Sequence, residues 1–124
     1  MHLIKASAAP VFEMPGLSVI GHAAPRCGAA ETCVCRITIA PGTPATPHAI
    51  DREEIFVALS GAARVDLDGR AQIIAPGDTL VVPAGQTFAL SNPNAEPFTA
   101  LAVLPVGGRA VLPGGEPFSP PWTL

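Results

Sequence analysis

The sequence has few charged residues, no tyrosine and only three cysteines. Charged residues make up 14%, aromatic residues 5%, and the formal net charge is -3. Since the basic residues form no cluster and no aromatic stacking platform accompanies them, we expect neither nucleic acid nor an anionic membrane as a partner. An odd number of cysteines and no visible secretory signal predict reduced thiols and a cytoplasmic location.

Long hydrophobic runs are also missing, although 48% of the residues are hydrophobic. The longest runs, such as residues 99–105, are far shorter than the roughly 20 residues that a membrane-spanning helix needs. Fifteen prolines and twelve glycines divide the chain into short pieces. Because an interior proline costs a helix about 3 kcal/mol, long helices are not expected.

Between these breaks lie short runs rich in β-branched residues. The run 32–39 ends at Pro41 and Gly42, and the runs 64–67 and 72–75 lie on either side of Asp68-Gly69, a typical two-residue hairpin turn. Short strands at intervals of about 8–12 residues indicate a sandwich or barrel. With 124 residues, the chain has room for one hydrophobic core. The sequence therefore predicts a single all-β domain.

Two stretches contain glycine, proline, histidine, glutamate and asparagine at fixed spacings. The first is GTPATPHAIDREEIFVALSG, residues 42–61, and the second is GDTLVVPAGQTFALSN, residues 77–92. The glycines fall where the chain must reverse, where positive φ angles are tolerated only by glycine at little cost. Pro83 fixes φ at the end of a strand, and Asn92 before Pro93 can close an Asx-turn with its side chain.

These two stretches resemble the two motifs of the cupin family at every framework position. The resemblance implies a double-stranded β-helix, or jelly-roll barrel, with a conserved core at about residues 32–104. Residues 1–31 would then contribute an N-terminal strand segment, and residues 105–124 form a tail rich in proline and glycine. The resemblance also implies a homodimer, since small cupins commonly pair through a sheet face or an exchanged N-terminal strand.

The resemblance also implies a divalent metal site, but two of its four ligand positions are changed. His48 and Glu54 match two family ligands, whereas Ile50 and Phe88 stand where the family has histidine. Neither replacement has a lone pair, and a catalytic zinc site needs three protein ligands plus water. A bound metal is therefore doubtful, unless Cys33 or Cys35 completes the site as a soft ligand. The alternative for these cysteines is a role as small buried apolar residues.

The same residues predict a pocket inside the barrel. Ile50 and Phe88 would make it apolar, and Cys33 and Cys35 would line it. Arg36 could pair with a carboxylate of a ligand, and the alternative for this residue is an exposed arginine on the strand. His48 and Glu54 would either be inert family remnants or face a ligand as general acid and base. We expect a small-molecule-binding protein of unknown specificity; the alternative is an enzyme, either a metal-dependent dioxygenase or a metal-free isomerase or cyclase that uses His48 and Glu54.

Overall fold

The computed structural model describes all residues, 1–124, and consists of eleven β-strands and three 3-10 helical turns. The helical turns are Ala6–Ala8, Pro25–Cys27 and Pro121–Thr123. No helix is long and apolar enough to cross a membrane. The strands are β1 (Val11–Met14), β2 (Leu17–Ala23), β3 (Thr32–Ile39), β4 (Ala49–Ile50), β5 (Glu54–Ser60), β6 (Ala63–Leu67), β7 (Arg70–Ile74), β8 (Thr79–Val82), β9 (Phe88–Ser91), β10 (Phe98–Pro105) and β11 (Ala110–Val111).

The strands form two facing layers. One layer is a six-stranded sheet in the order β1-β2-β3-β10-β5-β8. The other contains β7-β6-β9 and the pair β4-β11, connected by bridges between Thr43 and Asn92 and between His48 and Phe88. Every named strand pair is antiparallel. This arrangement confirms the predicted all-β jelly-roll fold in a single small domain.

Buried and exposed side chains alternate along the strands of the six-stranded sheet, and the buried ones form the core. In β3, every second residue is buried, namely Cys33, Cys35, Ile37 and Ile39, whereas Arg36 is exposed. In β10, Ala100 and Ala102 are buried opposite β3 and β5. Because side chains on a strand alternate between faces, one whole face of each strand contributes to the interior. The short alanine side chains in the middle of β10 leave room between the two layers.

The turn residues adopt the predicted geometry. Asp68 and Gly69 have φ angles of 51° and 71°, so both central residues of the hairpin are left-handed, as a type I′ turn requires. Asn92 accepts a hydrogen bond from the backbone N–H of Asn94 over 3.0 Å, which closes the predicted Asx-turn. Its Nδ2 also donates to the carbonyl oxygens of Ile39 and Glu96. Asn92 therefore ties β3, β9 and the turn before β10 together.

The C-terminal segment, residues 112–124, lies across the domain. The last helical turn contacts β2, and Thr123 is buried. The ring of Trp122 lies 6.3 Å from the ring of Phe12, measured between centroids. Arg26 donates hydrogen bonds to the carbonyl oxygens of Pro121 and Leu124. The tail is thus packed on the domain, with Trp122 as one of its anchors.

Candidate functional site

A cavity of about 350 Å³ lies between the two layers. Of the 21 residues that line it, 14 are hydrophobic, and none is lysine or arginine. Ligand sites are commonly pockets of this kind, mostly apolar with a small number of polar groups. The ionisable side chains that line it are Cys35, His48 and Glu54.

Glu54 is the most unusual residue of this cavity. It is the first residue of β5 and lies on the inward face of that strand, together with Phe56 and Ala58. The residue is 8% exposed, and its buried Oε2 atom has no hydrogen-bond partner. Burial raises the pKa of this carboxyl from 4.5 to about 7, because the charged form loses its hydration. Glu54 is therefore a buried carboxyl whose hydrogen-bonding capacity is unused.

His48 lines the same cavity from the opposite layer. Its backbone exchanges two hydrogen bonds with Phe88, of 3.0 and 2.9 Å, and its ring lies 4.5 Å from the ring of Phe88. The Nδ1 atom lies 3.0 Å from the carbonyl oxygen of Thr46, which can only accept, so Nδ1 carries the proton. In the neutral imidazole, the lone pair is then on Nε2. His48 makes no hydrogen bond with Glu54.

Ile50 and Phe88, the residues at the two changed ligand positions, lie in different places relative to the cavity. Ile50 is 4% exposed and lines the cavity. Phe88 is 1% exposed and packs against His48 and Phe56 behind the cavity wall rather than lining it. Phe88 therefore supports the position of His48, and here the structure differs from the predicted set of pocket residues.

The other predicted pocket residues divide in the same way. Cys35 lines the cavity, and its thiol pKa is raised to about 12 by burial, by the charge of Glu54 and by Cys33. Cys33 is buried on the same face but lies beneath the C-terminal segment, where its thiol contacts the carbonyl oxygen of Thr123 at 3.6 Å. Arg36 is exposed on the outer face of β3, because strand alternation turns it away from Cys35. Cys33 and Arg36 are thus corrections to the predicted lining.

Sequence reasoning missed one wall of the cavity. Leu112, Phe118, Pro120 and Trp122 of the C-terminal segment line it, as does Met14 near the N-terminus. The aromatic residues Phe118 and Trp122 among the prolines of the tail are the signal in the sequence that could have indicated this wall. Their contribution to the cavity depends on the path of the tail between the layers, which no local pattern specifies.

The donor set does not fit a divalent metal. Of the four positions that the motifs place around a metal, His48 and Glu54 offer donor atoms, and Ile50 and Phe88 offer hydrocarbon. No group of three or more histidine, cysteine, aspartate and glutamate side chains is arranged to hold a metal ion.

Comparison with known proteins agrees with the fold. The model of a family described as "Cupin domain" matches residues 35–104. The polyketide cyclase RemF from Streptomyces resistomycificus superimposes with a TM-score of 0.75 and 18% identity over 87% of this chain and 81% of that chain. A Cupin 2 conserved barrel domain protein from Salinispora arenicola gives a TM-score of 0.68 and 23% identity, covering 84% of this chain and 87% of that one.

Two further similarities concern sugar metabolism. A sugar phosphate isomerase of the cupin superfamily from Silicibacter pomeroyi superimposes with a TM-score of 0.68 and 22% identity, covering 80% of this chain and 66% of that chain. Mannose-1-phosphate guanylyltransferase ManC from Salmonella typhimurium is 31% identical over 71 residues, which are 56% of this chain and 15% of that protein. The chain therefore spans only a small part of this curated relative, and the structural likenesses concern the fold alone.

Proposed function

The chain belongs to the cupin domain family, and we propose that it binds a small, largely apolar molecule in the cavity without a tightly held metal ion. One observation carries this proposal: Glu54, a buried carboxyl with an unpartnered oxygen, lines a largely apolar cavity of about 350 Å³. A cavity of this size lies within the range typical of small-molecule sites.

The energetics of Glu54 favour a binding role. A buried polar group without a hydrogen bond costs about 1–3 kcal/mol, and a charged group costs more. A protein that keeps a carboxyl under these conditions loses stability unless a ligand supplies the missing partner. The hydrophobic residues around it, such as Ile37, Ile50 and Leu104, match the hydrocarbon part of a ligand. The site thus combines a small number of polar groups with a large apolar surface.

Binding can be followed through Trp122, the single tryptophan, which lines the cavity. We expect an apolar aromatic probe such as naphthalene to change its fluorescence and to saturate. Ala102 is 1% exposed and lines the cavity, so Ala102→Leu should fill the space and weaken binding at least about tenfold. Ala71→Leu, on the exposed face of β7, is the matched control. Equal probe affinity in both variants would contradict a site in this cavity.

Metal content tests the second half of the proposal. We expect protein purified without an affinity tag to contain metal well below one equivalent by mass spectrometry, because only two of the four family positions offer donors. Near-stoichiometric metal that disappears in His48→Ala would overturn a metal-free site. The same measurement on Glu54→Gln separates a shared site from adventitious binding to the histidine.

A second candidate function is metal-free isomerisation or cyclisation, with His48 and Glu54 moving a proton. It is favoured by the presence of both side chains in one cavity, and by the name of RemF, a polyketide cyclase. A dioxygenase is less supported because it needs the metal ligands that are absent. Exchange of the α-hydrogens of 2-tetralone for deuterium, followed by NMR, tests proton transfer. Exchange that is unchanged in His48→Ala and Glu54→Gln would exclude these residues.

We also propose a homodimer in the cytoplasm. β1 lies at the edge of the six-stranded sheet with Val11 exposed, so its backbone is available for pairing with the same strand of a second copy. Light scattering at micromolar concentration should give twice the monomer mass, and Val11→Pro should reduce it by removing an N–H from the edge. A monomer mass for the unmodified protein would refute the dimer.

A further inference from the structure

We propose that the cavity selects an uncharged ligand that has a hydroxyl group, which donates a hydrogen bond to the carboxyl of Glu54. The inference rests on the proposed function and specifies the chemical class of the ligand. It follows from the charges in the cavity, the direction of its hydrogen bonds and the hydrophobic character of the remaining wall.

The charges in the cavity disfavour an anionic ligand. No lysine or arginine lines the wall, and the one basic Arg36 that β3 could have supplied is on the outer face. A carboxylate or phosphate would therefore lose its hydration without gaining a cationic partner, and it would lie near the carboxyl of Glu54. Sugar phosphates, the substrate class named for one structural relative, do not fit this wall.

A cationic ligand is disfavoured for a related reason. An ammonium group has several N–H donors, and the cavity offers as acceptors the carboxyl of Glu54, the ring of His48 and the hydroxyls of Thr43 and Thr46. Any donor that these four groups do not reach would stay unpaired among hydrophobic side chains, and each unpaired donor costs free energy. A hydroxyl has a single donor, which one carboxyl oxygen can satisfy.

The acceptor groups of the cavity favour a ligand that donates. A carboxyl group has an acceptor oxygen whether it is protonated or ionised, so Glu54 can accept in either state. Nδ1 of His48 donates to the carbonyl oxygen of Thr46, which leaves Nε2 of the neutral ring as a second acceptor. Because the thiol of Cys35 is a weak donor, and both Glu54 and Nε2 of His48 can accept, an O–H group on the ligand is a complementary partner.

The remaining wall fits a hydrocarbon body. Fourteen of the 21 lining residues are hydrophobic, and they include Phe56, Phe118 and Trp122. Aromatic side chains favour flat rings, through stacked or edge-to-face contacts. A phenol-type molecule satisfies both the single polar contact and this wall.

Four matched probes test the inference by equilibrium dialysis: naphthalene, 2-naphthol, 2-naphthoate and 2-naphthylmethylamine. We expect 2-naphthol to bind about tenfold tighter than naphthalene, the gain from one hydrogen bond to a carboxyl. We expect both charged probes to bind more weakly than 2-naphthol. Glu54→Leu should abolish the advantage of 2-naphthol over naphthalene and keep naphthalene binding, because leucine removes the acceptor and retains an apolar wall.

Two further variants test the acceptor and the apolar wall separately. Glu54→Gln retains a carbonyl acceptor and should keep part of the hydroxyl advantage, and Ile50→Val should trim the wall and affect naphthalene and 2-naphthol equally. Equal binding of these two probes to the unmodified protein would overturn the hydroxyl inference and leave the proposed function standing. Tightest binding of either charged probe would also overturn it. Failure of all four probes to bind would contradict the proposed function itself.

Discussion

Nε of Arg26 donates a hydrogen bond to the carbonyl oxygen of Leu124 over 2.6 Å, although the two residues are 98 positions apart in the chain. The same guanidinium donates to the carbonyl oxygen of Pro121 and lies 5.0 Å from the ring centroid of Phe12. Phe12 in turn contacts Trp122, which lines the cavity. Arg26 thus fastens the C-terminal segment where that segment forms one wall of the cavity.

We expect Arg26→Ala to loosen the C-terminal segment. It removes two hydrogen bonds and one cation–π contact at an exposed site, so the loss in the free energy of unfolding should be about 1 kcal/mol. Backbone amide exchange at residues 121–124 should become faster, and the emission of Trp122 should shift to the red as its ring meets water.

Arg70→Ala provides the control, because Arg70 is exposed on β7 and makes no side-chain hydrogen bond. It should change neither amide exchange in the C-terminal segment nor Trp122 emission. If Arg26→Ala and Arg70→Ala gave the same exchange rates, Arg26 would not hold the segment.

Asn92 should be among the most sensitive polar positions of the domain. It is 0% exposed, and it makes one accepted and two donated hydrogen bonds. Asn92→Ala leaves their partners unpaired in the interior, so we expect a loss of about 2–4 kcal/mol in urea unfolding. Asn92→Asp retains the acceptor for Asn94 and loses the two donors, so it should also be strongly destabilising.

Asn94→Ala is the comparison for this position. Asn94 donates from Nδ2 to the carbonyl oxygen of Ala62 at an exposed site, where water can replace the lost partner. Asn94→Ala should lower the free energy of unfolding by less than about 1 kcal/mol. Equal losses at positions 92 and 94 would show that burial of the amide does not determine the effect.

Gly61 and Gly77 illustrate two physical reasons for a glycine in a turn, a positive φ angle and a lack of space for a Cβ atom. Both have positive φ angles, of 69° and 90°. A Cβ at Gly61 would collide with the carbonyl oxygen of Pro97, whereas one at Gly77 would meet nothing within 4 Å. We expect Gly77→Ala to cost about 1–2 kcal/mol through its φ angle alone, and Gly61→Ala to cost clearly more. Similar midpoints in urea unfolding would refute the steric role of Gly61.

The fold could be predicted because its determinants are local. The type I′ turn at Asp68-Gly69 and the Asx-turn at Asn92 depend on residues within a few positions, and both formed as predicted. Strand alternation likewise places Cys35 inward and Arg36 outward once the limits of β3 are known. The prediction of Arg36 in the pocket was wrong because it used the charge of the residue without its parity along the strand.

The cavity could be predicted only in part, because its walls come from distant parts of the chain. Ile50 and Glu54 lie within the motifs and were identified, whereas Trp122 joins them only through the folded C-terminal segment. The relationship between His48 and Glu54 is a second example, since no hydrogen bond joins them. Both side chains face the cavity, but His48 donates to its own neighbour Thr46, a local alternative that spacing does not reveal.

The buried carboxyl of Glu54 should make the domain less stable as the pH rises. Its pKa is about 7 in the folded state against an ordinary value of 4.5, so the folded state holds the proton more tightly. The stability that depends on Glu54 is therefore fully present below about pH 4.5 and is lost between pH 4.5 and 7, for a total of about 3 kcal/mol. Asp51 has a lowered pKa, so its contribution is lost only as the pH falls below its ordinary 3.8, outside this range. The measurement is the free energy of unfolding in urea at pH values from 5 to 8.5. Glu54→Gln should remove most of its dependence on pH, whereas the control Glu116→Gln, at an exposed site, should leave that dependence unchanged. An unchanged pH dependence in Glu54→Gln would assign the effect to another group.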